Sequence, residues 1–248
     1  MRRLIIELWP LLLLLLLWQV WVSAAGYNSI VLVPPSAVVA DLVRHPAVYL
    51  LPALHTLAFA LGGLLLGMAA GMLLALAAWF SQLLAGIATP FALLLSCTPV
   101  VCLIPIIARL FGYDGRSELT AIGVMTLFPT FVYCGTGLRQ WPVMSRDVLR
   151  VLHASRWQYL RLLALPAALP TLATALRVGA TLSVLVALLA EYLMQTGGLG
   201  TLFAVTMQQF HLARALGASA VAMILSVLLF EATRALEQRV STFYRAGN

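Results

Sequence analysis

Arg177 and Glu191 lie inside a single apolar stretch, Thr171 to Met194. A charge in such a setting is costly enough that it faces a partner, a cavity or a bundle interior. On an α-helix, at about 100° per residue, Thr174, Arg177, Thr181 and Glu191 fall within roughly 100° of arc. That stripe is a candidate path for a polar solute. The two charges are separated by about 21 Å along the axis, too far to pair directly. Arg177 is expected to snorkel toward the nearer surface. Glu191 then stands at the opposite end, as a gate or as a packing contact. Thr98, beside Pro99, is a further path candidate; the competing use of Ser96 and Thr98 is hydrogen bonding back to the preceding helical turn.

Other chemistry is thinly represented. His55, His153 and His211 are isolated in sequence and His45 falls in a connecting segment, so no helical metal spacing appears. Cys97, Cys102 and Cys134 are odd in number and sit in apolar runs, which reads as packing rather than a disulfide or metal framework. No run brings together an acid, a base and a nucleophile. A phosphate-binding glycine loop ending in Lys-Ser or Lys-Thr is excluded outright, because all fifteen basic residues are arginine. The residues therefore predict no catalytic, cofactor-binding or metal position in the chain itself.

The elements that must carry these side chains are membrane helices. Of 248 residues 62% are hydrophobic and 9% charged, with a mean hydropathy of +1.01. That excludes both a water-soluble globule and a disordered chain. About six apolar runs have spanning length, near 8–25, 53–79, 85–110, 119–138, 171–194 and 215–233. The reading is a single all-α membrane domain over 1–248 with the amino and carboxyl termini on one side. Arg2-Arg3, the leucine run and Val22-Ser23-Ala24 also resemble a cleavable secretory signal, but Trp9, Trp18 and Trp21 suit the flanks of a retained anchor. Gly63, Gly67, Gly71 and Ala75 recur every four residues and form a ridge that lets another helix approach closely. Val38, Val39, Leu42 and Val43 give a short amphipathic helix after the first span, with Ser36 as its candidate N-cap.

The basic excess, a net charge of +7, orients the chain. Arg2, Arg3, Arg139, Arg146, Arg150, Arg156, Arg161, Arg234, Arg239 and Arg245 fall on one side. Arg44, Arg109, Arg116 and Arg214 fall on the other. The richer side is cytoplasmic. The arginines thus report topology rather than a nucleic-acid surface.

Five of those arginines lie in the long polar connection, 139–170. Asp147 complements a helix start, and Val148, Leu149, Val151 and Leu152 form an apolar side. The helix breaks at His153-Ala154-Ser155. Ser155 with Gln158 makes a capping box that begins a second short helix. Pro166 is expected to end it near Leu165, and Pro170 to open the next span, so both prolines mark breaks. Two short helices rimmed by arginine suit a docking element or a solvated amphipathic loop.

This segment resembles the cytoplasmic EAA loop of binding-protein-dependent ABC transporter permeases. Asp147, Leu149-Arg150, Leu152, Ala154-Ser155, Leu165-Pro166 and Pro170 fill the family's places, while His153 and Ala175 stand where it usually has glycine. Pro35-Ser36, Thr98-Pro99 through Pro105 to Phe111-Gly112, Gly137-Leu138 before Pro142, Ala190-Glu191 and Gly198-Leu199-Gly200 look like the nitrate, sulfonate, taurine and bicarbonate branch. Some relatives in that branch carry vitamin or pyrimidine precursors. The resemblance implies a type I ABC importer permease fold in a bacterial inner membrane, with both termini cytoplasmic. It implies a second permease copy, two ATPase subunits and an extracytoplasmic solute-binding protein as partners, with ATP and magnesium held by the ATPases. Asp147, Arg150, Leu152, His153, Ala154, Ser155 and Arg156 would couple to the ATPase. A non-transporting assembly subunit or an intramembrane enzyme is the alternative.

Overall fold

The computed structural model describes residues 2–28, 31–141, 149, 151 and 153–246. Asp147, Arg150 and Leu152 lie outside the described residues. The chain is helical throughout: α1 (Arg2–Ala25), α2 (Pro35–Arg44), α3 (Pro46–Phe80), α4 (Gln82–Ser96), α5 (Val100–Phe111) and α6 (Gly115–Gly137). After the 139–155 connection come α7 (Arg156–Tyr159), a π-turn at Leu160–Ala164, α8 (Leu165–Met194), α9 (Gly198–Gln208) and α10 (Leu212–Ala246).

Among the described residues, four helices are long and apolar enough to cross a membrane: Pro46–Phe80, Gly115–Gly137, Arg156–Met194 and Leu212–Thr242. The bent pair α4–α5 makes up to a fifth, and Leu12–Ala25 is a shorter apolar helix. The expected continuous span near 85–110 is therefore two helices, bent by 108°. Pro99 disfavours helical geometry at Thr98 and has no N–H to continue the ladder. Thr98 and Ser96 donate back to the carbonyls of Leu94 at 3.0 Å and Ala92 at 2.9 Å, closing the end of α4. Hydropathy counts apolar residues and does not register direction, so the bend was invisible to it.

The glycine ridge is the axis of the bundle. Gly63, Gly67, Gly71 and Ala75 are buried on α3, which packs along α6. A Cβ at Gly63 would enter the Ile122 side chain, and at Gly67 it would collide with Thr126 and the Gly123 carbonyl. Thr126 Oγ1 donates within α6 to the Ile122 carbonyl at 2.9 Å. The core follows this axis, with Ala60, Ile104, Ile122, Val184 and Ala187 in its middle and Ala75, Phe128, Phe131, Leu138 and Leu160 toward the 139–155 connection. Outward faces carry Leu65, Leu83, Leu93 and Leu110, all more than half exposed. Hydrocarbon rather than water suits such faces.

Two helix boundaries differ from expectation. Pro166 and Pro170 do not interrupt the chain, since Arg156–Met194 is one helical run. The π-turn widens the helix just before Pro166, and Leu165 N–H bonds the Leu160 carbonyl five residues back. That extra residue absorbs the proline clash. Ser36 is also not a cap. Pro34 holds that position with Pro35 opening α2, and Ser36 N–H instead donates to Gln19 Oε1 of α1 at 3.1 Å.

Candidate functional site

Glu191 is fully buried at the end of α8. Its position is set by the chain that follows. Gln195 ends the helix in a left-handed conformation (φ 55°), and Gly197 and Gly198 continue at φ 121° and 76°. Glycine enters that region without strain. A Cβ on Gly198 would lie inside the Glu191 carboxylate, and one on Gly200 would strike the Leu188 carbonyl. The glycine turn therefore folds directly onto the acid. Gly200 N–H donates to Glu191 Oε2 at 2.8 Å, and Thr201 Oγ1 donates to the Glu191 carbonyl at 2.9 Å.

Two further helices converge here. From α3, Thr56 Oγ1 donates to Glu191 Oε2 at 3.0 Å and accepts from Leu199 N–H at 2.9 Å, while His55 Nδ1 lies 3.4 Å from Glu191 Oε1. The imidazole is stacked on Phe59, with ring centres 4.4 Å apart. From α6 comes Glu118. Asp114 caps that helix by accepting from Arg116 N–H at 2.9 Å, which places Glu118 in the first turn. Glu118 is also fully buried, and its Oε2 accepts from Thr196 Oγ1 at 2.7 Å. Two buried acids and a histidine from three helices thus meet at the end of the bundle opposite the 139–155 connection. His55 and Glu191 are 136 residues apart, which is why no spacing rule found them. The one sequence signal was an acid followed by a glycine-rich turn.

The expected polar stripe on α8 divides. Thr174 Oγ1 donates to Glu237 Oε1 of α10 at 2.6 Å, and Arg177 Nε pairs with Glu237 Oε2 at 2.9 Å. The Arg177 guanidinium lies 5.7 Å from the Phe230 ring centre. Arg177, Thr181, Leu185, Ser226 and Phe230 line a groove of about 660 Å³ between α8 and α10. Glu191 is not part of it. Arg177 therefore has a partner on α10, where snorkelling was expected. Thr98 is at the α4–α5 bend.

A second acid ties α2 to the bundle. Arg214 reaches Asp41 through Nε and Nη2, each at 3.2 Å, and the Tyr49 hydroxyl donates to Asp41 Oδ2. Burial raises the Asp41 pKa, but the Arg214 and Tyr49 hydrogen bonds more than offset it and hold the carboxyl below its ordinary value.

At the other end, Val151, His153 and Ser155 of the connection are exposed. His153 takes φ 50°, the left-handed conformation that glycine enters most readily. Ala154 N–H closes the preceding turn on the Leu149 carbonyl at 3.0 Å. Ser155 then starts α7 with the expected capping box: Gln158 N–H donates to Ser155 Oγ at 3.3 Å, and Ser155 N–H to Gln158 Oε1 at 2.7 Å. Arg156 Nη1 donates to the Phe80 carbonyl at 3.4 Å, and Trp157 stacks beside Phe80.

The described residues thus form a bundle of apolar helices with buried polar residues at one end and a capped helix break at the other. Residues 63–242 match the family described as binding-protein-dependent transport system inner membrane component. The chain belongs to that family. It is 29% identical over 226 residues to the formylaminopyrimidine transport permease protein ThiX of Halalkalibacterium halodurans, covering 91% of this chain and 90% of that one. It is 30% identical over 198 residues to the riboflavin transport system permease protein RibX of Chloroflexus aurantiacus, covering 77% and 72%. Shorter matches are with permeases named for aliphatic sulfonates, bicarbonate and nitrate. Among solved structures, a chain of an amino acid ABC transporter superposes with a TM-score of 0.65 at 14% identity, covering 84% of this chain and 97% of that one. The fold is that of type I ABC importer permeases, and the chain is the permease subunit of such an importer.

Proposed function

We propose that this subunit imports a small planar heterocycle across a bacterial inner membrane, with both termini in the cytoplasm. Of three relatives matched over more than two thirds of their own length, one has no solute in its name and the other two are named for a pyrimidine and a flavin, whereas the nitrate and bicarbonate matches cover 40% and 33% of theirs. The groove between α8 and α10, lined by Leu182, Leu185, Leu188 and Phe230 with Arg177 and Thr181 beside them, is apolar with a few polar groups, which suits such a ring. Thr174, Arg177, Thr181, Glu191 and Thr98 are the path candidates. A second copy of the chain, two ATPase subunits holding ATP and magnesium, and an extracytoplasmic binding protein complete the machine. The chain itself performs no catalysis.

The observation that carries the mechanism is the unbroken helical run from Arg156 to Met194. It starts at the capped break where Asp147, Arg150, Leu152, His153, Ala154, Ser155 and Arg156 would meet the ATPase. It ends at Glu191. A run of 39 residues is about 58 Å long, enough to carry a displacement through the whole bundle. The test is uptake by vesicles containing this chain, its ATPase and its binding protein, with ATP inside. ATP-dependent accumulation of a labelled pyrimidine or flavin, and not of nitrate or an alkylsulfonate, is the expected result. Accumulation of the anions alone would reverse the assignment of solute.

A further inference from the structure

Each buried acid holds one oxygen in hydrogen bonds to neighbouring donors. Glu191 Oε2 accepts from Thr56 and Gly200, and Glu118 Oε2 accepts from Thr196. Glu191 Oε1 is approached by His55 Nδ1, and Glu118 Oε1 is fully buried with no hydrogen-bond partner. A ring nitrogen of His55 and an oxygen of each glutamate all lie within 4.8 Å of one another. Two ionised carboxylates this close in an apolar bundle repel each other unless they share a proton or hold a cation between them.

We propose that His55, Glu118 and Glu191 bind one divalent first-row transition cation, with zinc as the fitting case. The 3.4 Å between His55 Nδ1 and Glu191 Oε1 is long for a hydrogen bond. It equals the ligand-to-ligand edge of a tetrahedron with bonds of about 2.1 Å. An oxygen of Glu118 lies within 4.8 Å of both and would have to move in to take the third position. Imidazole with carboxylates and no sulfur suits zinc or manganese over soft cations. Each ligand is already oriented by a neighbour: Thr56 and Gly200 on Glu191, Thr196 on Glu118, and the Phe59 ring against His55. The imidazole is 29% exposed, which gives a cation its way in. Such an ion would fasten α3, α6 and α8 together at the end of the bundle opposite the coupling segment.

The test uses the full chain purified in detergent, stripped with chelator, desalted and supplied with zinc sulfate. The expected result is about one zinc per chain retained through gel filtration and a raised melting midpoint. Cobalt(II) should give the visible absorption of a low-coordinate nitrogen and oxygen site. Glu118→Gln, which keeps the shape, and His55→Ala, at a partly exposed position, should each weaken retention at least about 100-fold. His211→Ala should retain zinc as the unaltered chain does. Folded chain eluting without stoichiometric zinc would overturn the proposal, as expected if the two carboxyls merely share a proton. Equal retention by Glu118→Gln and His55→Ala would overturn it as well.

Discussion

The two ends of the bundle solve opposite problems with the same kind of helix break. At the acid end, Gln195 through Gly200 turn inward: Gln195 and Gly200 N–H donate to Glu191, Leu199 N–H to Thr56 and the Thr196 hydroxyl to Glu118. At the opposite end, His153 through Ser155 break the helix, and the capping box satisfies the break locally. Trp157 is left 62% exposed and Val151 77%. One end closes on itself and the other presents a surface. A break that uses buried acids and glycines is internal structure, whereas a break that caps itself and exposes aromatics leaves contacts for a partner.

The comparison is broken most severely by Gly198→Val. Its side chain would occupy the Glu191 carboxylate at φ 76°, so the variant should lose about 4 kcal/mol or more and fail to give monodisperse protein in gel filtration. Gly86→Ala, where a Cβ meets nothing within 4 Å, should purify normally. Arg214→Ala should cost about 1 to 2 kcal/mol, read as a lowered melting midpoint, because it strips the bidentate partner from Asp41. Since Asp41 is held below its ordinary value, its contribution is full above about pH 4 and disappears as pH falls through the depressed value. Amide exchange in α2 should therefore be unchanged from pH 8 to 5 in relative protection and rise only in stronger acid.

At the coupling end the effects are smaller. Ser155→Ala removes the reciprocal cap and should cost about 1 kcal/mol, seen as faster amide exchange at Gln158. His153→Gly should go the other way, relieving a left-handed residue and raising the melting midpoint by less than about 1 kcal/mol equivalent. An effect of His153→Gly as large as that of Gly198→Val would erase the contrast between the ends.

The short-range chemistry was legible in the sequence. The Ser155–Gln158 box, the Gly63–Gly67–Gly71 ridge and the amphipathic 35–44 helix all depend on neighbours within a few residues. What depends on distant partners was not. Glu118 and His55 looked unremarkable because their neighbour Glu191 lies on another helix, and Arg177 was left to snorkel because Glu237 is on α10. The break at Cys97–Pro99 hid inside uninterrupted hydropathy. At Pro166 the rule that proline ends a helix lost to a π-turn, an option that composition does not reveal.

The central claim is that the break at His153–Ser155 passes ATPase motion into the long helix ending at Glu191. The most direct measurement is ATP hydrolysis and solute uptake in vesicles carrying the complete complex with Ala154→Glu in this chain. A charged side chain at this half-buried position should abolish uptake and the stimulation of hydrolysis by loaded binding protein, while the melting midpoint of the permease stays within a degree or two of the unaltered chain. Normal uptake with normally assembled ATPase in that variant would contradict the account.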